Sequence, residues 1–232
     1  KVMEEFNCKN IVFSSSATVY KKSKSNRAFV EEDICAPINP YGNTKLTIEW
    51  ILNDVYKKNP DQWRIVCLRY FNPVGAHESG LIGEDPLGKP NNLYPQITRV
   101  AIGTLKEIKI FGSDWPTIDG TGVRDYIHVM DLAEGHLSAL NFLMKNKPLI
   151  ITINLGTGRG TSVLELIKIF EKVNDVKIPH SFVKRRPGDN AFLVADNSLA
   201  KSIFNWKPTR NIEEICINGW NWQKKNPNGF RN

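Results

Sequence analysis

The feature that most constrains this chain is an apolar strand, a long amphipathic helix and a second apolar strand in direct succession. Residues 10–13 form a short apolar run, and residues 64–70 form another. Between residues 41 and 58, apolar side chains recur at helical spacing: Leu46, Ile48, Ile51, Leu52 and Val55. An Asn-Pro pair then ends the pattern. A crossover of this length joins parallel strands. The sequence therefore predicts an α/β protein with a parallel sheet.

The rest of the chain continues to alternate between strand and helix patterns. Strands are predicted at residues 108–111, 150–154, 181–183 and 192–195. Helices are predicted at residues 94–105, 131–144, 162–173, 197–203 and 211–225, and Asp131 is expected to cap the second of these. Glycine and proline mark residues 72–92 as an extended loop. The middle and the end of the chain are expected to add a smaller, mixed lobe to the sheet.

Composition excludes several classes of function. The net charge of +7 comes from lysines in short, scattered clusters, which does not indicate nucleic-acid binding. The longest apolar runs are far shorter than the roughly 20 residues that cross a bilayer, so no membrane segment is predicted. No metal is predicted, because neither the cysteines nor the histidines have the spacing of metal ligands. These residues are Cys8, Cys35, Cys67, Cys216, His77, His128, His136 and His180. His128 is expected to be structural.

A catalytic constellation is predicted at the start of the first long helix. Tyr41 and Lys45 are four residues apart, so their side chains share one face of that helix. A cation beside a phenol favours the phenolate, which can accept a proton. Ser16 follows the preceding strand, where a hydroxyl can bind the substrate oxygen that Tyr41 deprotonates. Taken alone the spacing is weak evidence, because a solvated helix pair has the same pattern.

Further motifs support the prediction of a catalytic constellation. The sequence contains SSSATVY at 14–20, RYFNPVGAH at 69–77, GTGVRDYIHV at 120–129, RRPGD at 185–189 and WNWQ at 220–223. With the Ser-Tyr-Lys constellation, these motifs resemble the UDP-glucose 4-epimerases of the extended short-chain dehydrogenase/reductase superfamily. The resemblance extends over nearly all of the chain. It implies the C-terminal portion of a doubly wound parallel, Rossmann-type sheet, with a smaller mixed α/β lobe that binds the substrate.

The resemblance also implies a reaction. An NAD-dependent isomerase of this family interconverts UDP-galactose and UDP-glucose through a 4-keto sugar. By resemblance, Tyr41 is the base at the sugar 4-hydroxyl, Ser16 assists it, and Lys45 supports Tyr41 and holds the nicotinamide ribose. Further residues that the family places beside the cofactor are Ser14, Ser15, Tyr70 and Pro73.

The nucleotide part of the substrate has its own set of matching positions. Asn72, Arg124 and Arg186 resemble the family's diphosphate ligands, and guanidinium groups suit that role. Asp189 resembles the carboxylate that accepts from the uridine ribose. Asn92, Leu93 and Phe111 match the family's segment that surrounds the uracil. Leu193 matches the position whose size governs acceptance of N-acetylated sugars.

The resemblance divides the chain between two functional parts. Residues 1–77 and 125–156 are expected to belong to the NAD-binding domain, and residues 78–124 and 157–232 to the UDP-sugar lobe. The family's GxxGxxG turn for the NAD pyrophosphate is absent from this sequence, so the front of the domain is expected to be missing and this chain alone to be inactive. A cytoplasmic homodimer is expected by resemblance. Two alternatives stay open: a related nucleotide-sugar epimerase or dehydratase, and a non-catalytic UDP-sugar-binding fragment.

Overall fold

A computed structural model of the chain describes residues 1–22, 25–86, 88 and 90–230, and it consists of parallel sheets and packed helices. The strands are β1 (Asn10–Ser14), β2 (Arg64–Tyr70), β3 (Asn72–Val74), β4 (Ile108–Phe111), β5 (Val123–Arg124), β6 (Tyr126–His128), β7 (Leu149–Leu155), β8 (Thr161–Ser162), β9 (His180–Val183) and β10 (Phe192–Leu193). The helices are α1 (Val2–Glu5), α2 (Pro40–Lys58), α3 (Leu93–Ala101), α4 (Val129–Lys145), α5 (Val163–Asn174), α6 (Ser198–Phe204) and α7 (Ile212–Lys225).

The main sheet has the order β1-β2-β7, and its neighbouring strands are parallel. In the central strand, Ile65 and Cys67 face α2, whereas Val66 and Leu68 pack in a second cluster with residues of α4. Alternate residues of a strand point to opposite faces, so a run that is apolar throughout is buried on both sides. This arrangement confirms the predicted parallel sheet with helices on both faces.

A second core lies beneath the middle and the end of the chain. Strands β4 and β9 pair in parallel, and α5 packs against α7. Phe170 is fully buried between Tyr94 and Trp220, with ring centroids 6.1 and 6.0 Å away. Trp220 and Trp222 are therefore packing residues, as their place on the terminal helix predicts. These residues belong to an apolar cluster that is separate from the clusters of the main sheet.

Helix α4 begins earlier than predicted, and its cap differs. His128 is the N-cap residue, and its Nδ1 accepts a hydrogen bond from the Met130 amide at 3.0 Å. The prediction that Asp131 caps this helix is wrong. The Asp131 carboxylate is fully buried and binds Arg210, which lies just before α7. A carboxylate in the first turn of the helix was free to make that distant contact because histidine supplied the cap.

Among the residues that the model describes, no helix is long and apolar enough to cross a membrane.

Candidate active site

A cavity of about 540 Å³ opens where β1 and β2 end, between the main sheet and the smaller lobe. Parallel α/β sheets bind ligands at this edge. Most of the residues predicted for the site line this cavity: Ser16, Tyr41, Tyr70, Asn72, Pro73, Asn92, Leu93, Phe111, Arg124, Arg186 and Asp189. Tertiary folding thus brings together residues that are separated by more than 170 positions in the sequence.

Ser16 and Tyr41 stand at one end of the cavity. The Ser16 Oγ accepts hydrogen bonds from the amide and the hydroxyl of Thr18, at 3.2 and 3.0 Å. Its own hydrogen has no acceptor within the described ranges, so it is free to donate to a ligand oxygen. Tyr41 is 50% exposed at the start of α2, which Asn39 caps through the Gly42 amide at 2.8 Å. A phenol and a hydroxyl donor therefore face the same space.

Lys45 lies beside Tyr41, as the helical spacing predicts. Its Nζ is 5.5 Å from the centroid of the Tyr41 ring and donates to the Ser14 carbonyl at 2.8 Å. Lys45 does not itself line the cavity. The Ser14 carbonyl thus holds the ammonium beside the Tyr41 ring.

Tyr70 completes this end of the cavity. Burial and the nearby Tyr41 raise the pKa of Tyr70. Tyr70 is thus held as a neutral phenol next to the proposed base.

The opposite end of the cavity carries basic and acidic groups. Arg124 Nη2 donates to Asp189 Oδ1 at 2.5 Å, and both side chains are partly exposed. The Arg186 guanidinium stacks over the Phe111 ring, 3.7 Å from its centroid. Guanidinium groups bind phosphate oxygens in pairs, and a carboxylate accepts from hydroxyls. This end of the cavity is suited to a phosphorylated, hydroxyl-bearing ligand.

Asp125 anchors the strand that carries Arg124. Its carboxylate is fully buried and accepts hydrogen bonds from Thr157, Gly158 and Ala195. The glycine-rich turn at residues 156–160 is therefore tied to Asp125.

Four predicted residues do not line the cavity: Ser14, Ser15, Lys45 and Leu193. Ser15 is fully buried, and its hydroxyl donates to Glu49, which also pairs with Arg69 at 2.6 Å. Leu193 is 9% exposed and packs in an apolar cluster with residues such as Phe71. Successive residues of extended chain point in opposite directions, so Ser15 turns into the core where Ser16 turns outward.

Several residues that line the cavity had not been predicted, among them Thr18 and Trp115. Thr18 positions Ser16, and its signal was present in the hydroxyl-rich run at 14–20. Trp115 also lines the cavity, and its indole donates to the Phe111 carbonyl at 3.0 Å. It lies in a turn-rich loop, where the sequence carries no signal for a ligand-facing aromatic residue.

The histidines serve other purposes. His128 is fully buried, and its pKa is lowered by burial and by Arg210. Within the described residues, no group of three or more His, Cys, Asp or Glu side chains could hold a metal ion.

Comparison with known proteins agrees with this geometry. The profile of the NAD dependent epimerase/dehydratase family matches residues 1–156. Over 222 residues the chain is 55% identical to the UDP-glucose 4-epimerase of Pasteurella multocida (strain Pm70), covering 96% of this chain and 65% of that protein.

Two solved structures are also similar. The UDP-glucose 4-epimerase from Bifidobacterium longum, in complex with NAD+ and UDP, superposes with a TM-score of 0.93 at 51% identity, covering 99% of this chain and 68% of that one. The enzyme from Stenotrophomonas maltophila, with bound NAD and formylated UDP-arabinopyranose, superposes with a TM-score of 0.92 at 48% identity, covering 96% and 66%.

Proposed function

The chain belongs to the NAD dependent epimerase/dehydratase family, and from this premise we propose that it carries the acid/base and nucleotide-binding groups of a UDP-glucose 4-epimerase. The observation that carries the proposal is the single cavity with Tyr41 and Ser16 at one end and Arg124, Arg186 and Asp189 at the other. Relatives named UDP-glucose 4-epimerase, at 50 to 55% identity, support the same reaction. The chain spans 65% of the length of the first of these relatives, so the activity of the whole protein is inferred.

In this proposal Tyr41 removes the proton from the sugar 4-hydroxyl. Ser16 donates its free hydrogen to the same oxygen, which holds the oxygen near the phenol. Lys45 stabilises the charge on Tyr41 in the states where that phenol is deprotonated. Tyr41 returns the proton to the oxygen when the 4-keto sugar is reduced again.

NAD is the cofactor of this proposal, and the residues present fit its nicotinamide end. Lys45 uses one of its three N–H donors on the Ser14 carbonyl, and the described residues take no other, so donors remain for ribose hydroxyls. Ser14, Tyr41, Tyr70 and Pro73 are proposed to surround the ring. Bound NAD would accept a hydride from carbon 4 and return it to the opposite face.

The nucleotide is proposed to bind at the smaller lobe. Asn72, Arg124 and Arg186 are assigned to the diphosphate, and Asp189 to the uridine ribose. Asn92, Leu93 and Phe111 are assigned to the uracil. We accordingly assign residues 1–77 and 125–156 to the NAD-binding domain, and residues 78–124 and 157–232 to the UDP-sugar lobe.

The test is conversion of UDP-galactose to UDP-glucose by the protein that carries this chain. Tyr41→Phe should lower kcat by roughly 100- to 10,000-fold, because the base is lost, and leave UDP binding to the chain unchanged. Tyr56→Phe, on the same helix, is the matched control and should retain the rate. An unchanged rate in Tyr41→Phe would refute the assignment. UDP binding without interconversion would favour a non-catalytic UDP-sugar-binding fragment instead.

A related nucleotide-sugar dehydratase is the other candidate. Dehydratases of this superfamily carry an acidic pair beside the catalytic serine, whereas Ala17 and Thr18 follow Ser16 here. Appearance of a 4-keto-6-deoxy product from UDP-glucose would favour the dehydratase.

A cytoplasmic homodimer is part of the proposal. The exposed face of α2 bears Ile48, Trp50 and Ile51, which are 37, 60 and 55% exposed and available to a second copy. The four cysteines are free, which suits a reducing compartment. Sedimentation velocity of the chain, with Trp50→Glu as the comparison, would detect such a dimer.

A further inference from the structure

A line of hydrogen bonds runs from α4 to the cavity wall. His136 Nδ1 lies 2.9 Å from the Leu132 carbonyl oxygen, and its Nε2 lies 2.9 Å from Ser14 Oγ. The His136 ring is tilted 49° against the ring of Tyr70, with centroids 6.1 Å apart. The Ser14 carbonyl in turn accepts a hydrogen bond from the Lys45 ammonium at 2.8 Å. Ser14 therefore joins His136 to Lys45, which lies beside Tyr41.

The partners of His136 determine where its proton lies. A backbone carbonyl only accepts, so in the neutral ring the proton must be on Nδ1. Nε2 is then an acceptor, and the Ser14 hydroxyl must donate to it. The Leu132 carbonyl thus sets the direction of the hydrogen bond between Ser14 and His136.

We propose that His136 is a positioning residue for the acid/base site, acting through Ser14 on Lys45. The inference rests on the proposed function and deepens it, since His136 does not line the cavity. The hydrogen bond to Nε2 anchors the Ser14 side chain at the end of β1, and the carbonyl of the same residue binds the Lys45 ammonium. Without the acceptor on residue 136, Ser14 loses this anchor, and the carbonyl that holds Lys45 is less firmly placed.

The first test reads the proton position directly and needs no catalysis. The chain is labelled with ¹⁵N-histidine, and its ring nitrogens are recorded by long-range ¹H–¹⁵N correlation at about pH 8, where imidazoles are neutral. His136 should carry its proton on Nδ1, and Ser14→Ala should shift the Nε2 resonance of His136. His180 is the internal control, because its Nδ1 also lies 3.0 Å from a carbonyl oxygen, that of Ile178, whereas the Ser14 hydroxyl bonds to His136 and not to His180. A proton on Nε2 of His136 would overturn the proposal, and so would an Nε2 chemical shift that is the same in Ser14→Ala as in the unaltered chain.

The second test separates positioning from a general loss of structure. His136→Leu removes the acceptor and should lower kcat roughly three- to tenfold with the KM for UDP-galactose unchanged, because one partly buried hydrogen bond is lost. His136→Gln offers an amide oxygen to Ser14 and should restore most of the rate. Equal loss in both variants, or an unchanged kcat in His136→Leu, contradicts the proposal. If the unaltered protein has no epimerase activity, the proposed function fails while the NMR result still decides the role of His136.

Discussion

Asp125 offers a sharp test of how the Arg124 strand is held. Its side chain is fully buried. Oδ1 accepts from the amide and hydroxyl of Thr157 at 2.8 and 2.6 Å, and Oδ2 accepts from the amides of Gly158 and Ala195 at 3.0 and 3.2 Å. Burial raises the pKa of Asp125, and these hydrogen bonds lower it in part. Desolvation and hydrogen bonding therefore act in opposite directions at this carboxylate.

Asp125→Asn separates the two effects. The amide has one oxygen and one NH₂ group, so one former acceptor position becomes a donor. If NH₂ replaces Oδ2, the amides of Gly158 and Ala195 both lose their acceptor. If it replaces Oδ1, the Thr157 hydroxyl can turn and accept, which leaves only the Thr157 amide without a partner. This second arrangement costs less, at about 1–3 kcal/mol for one buried donor.

Loss of the charge weakens the remaining hydrogen bonds as well, since bonds to a carboxylate are roughly twice as strong as neutral ones. We therefore expect Asp125→Asn to lower the free energy of unfolding by about 2–4 kcal/mol, or the Tm by roughly 5–15 °C. UDP should also bind less tightly, because the loosened strand carries Arg124.

Urea unfolding followed by tryptophan fluorescence measures this change in the chain. Asp114→Asn is the matched control. Its carboxylate pairs with Arg185 but is 74% exposed, so the same substitution should cost less than about 1 kcal/mol. If Asp125→Asn were as stable as the unaltered chain or more so, desolvation of the carboxylate would outweigh its hydrogen bonds, and the reasoning would be refuted.

Three further changes test other parts of the structure. The pKa of His128 is lowered chiefly by burial, so on acidification the unfolded chain binds the proton before the folded chain does. Stability is therefore lost as the pH falls below about 6.5. His128→Asn keeps a capping acceptor and should flatten the dependence of Tm on pH below that value. Gly42→Ala places a Cβ 2.6 Å from the Thr18 carbonyl oxygen and should cost about 1–3 kcal/mol in urea unfolding, which an unchanged midpoint would contradict. Arg186→Lys keeps the charge but loses the guanidinium fork and much of the stacking on Phe111. Calorimetry should therefore find UDP binding roughly tenfold weaker. A Kd equal to that of the unaltered chain would argue against a diphosphate role for Arg186.

Much of the fold followed from local patterns. The strand, helix and strand at the start predicted the parallel pairing of β1 with β2, because a crossover of that length has few other geometries. The pairing of Tyr41 with Lys45 was equally local, since four residues make about one helical turn. Element ends were less accurate: the helix predicted to end at residue 105 stops at Ala101. Packing against neighbours decides such ends, and local spacing does not record it.

The amino-acid sequence by itself determined the fold class, the helix face of Tyr41 and Lys45, and the motifs that carry the family resemblance. Tertiary structure alone decided that Ser16 opens to the cavity while Ser15 binds Glu49 in the core. It also joined Arg124 to Asp189 across 65 residues. The reason is physical: helix and strand periods are set by covalent geometry over a few residues. Contacts between distant segments depend on strand order, register and packing, which are properties of the whole folded chain.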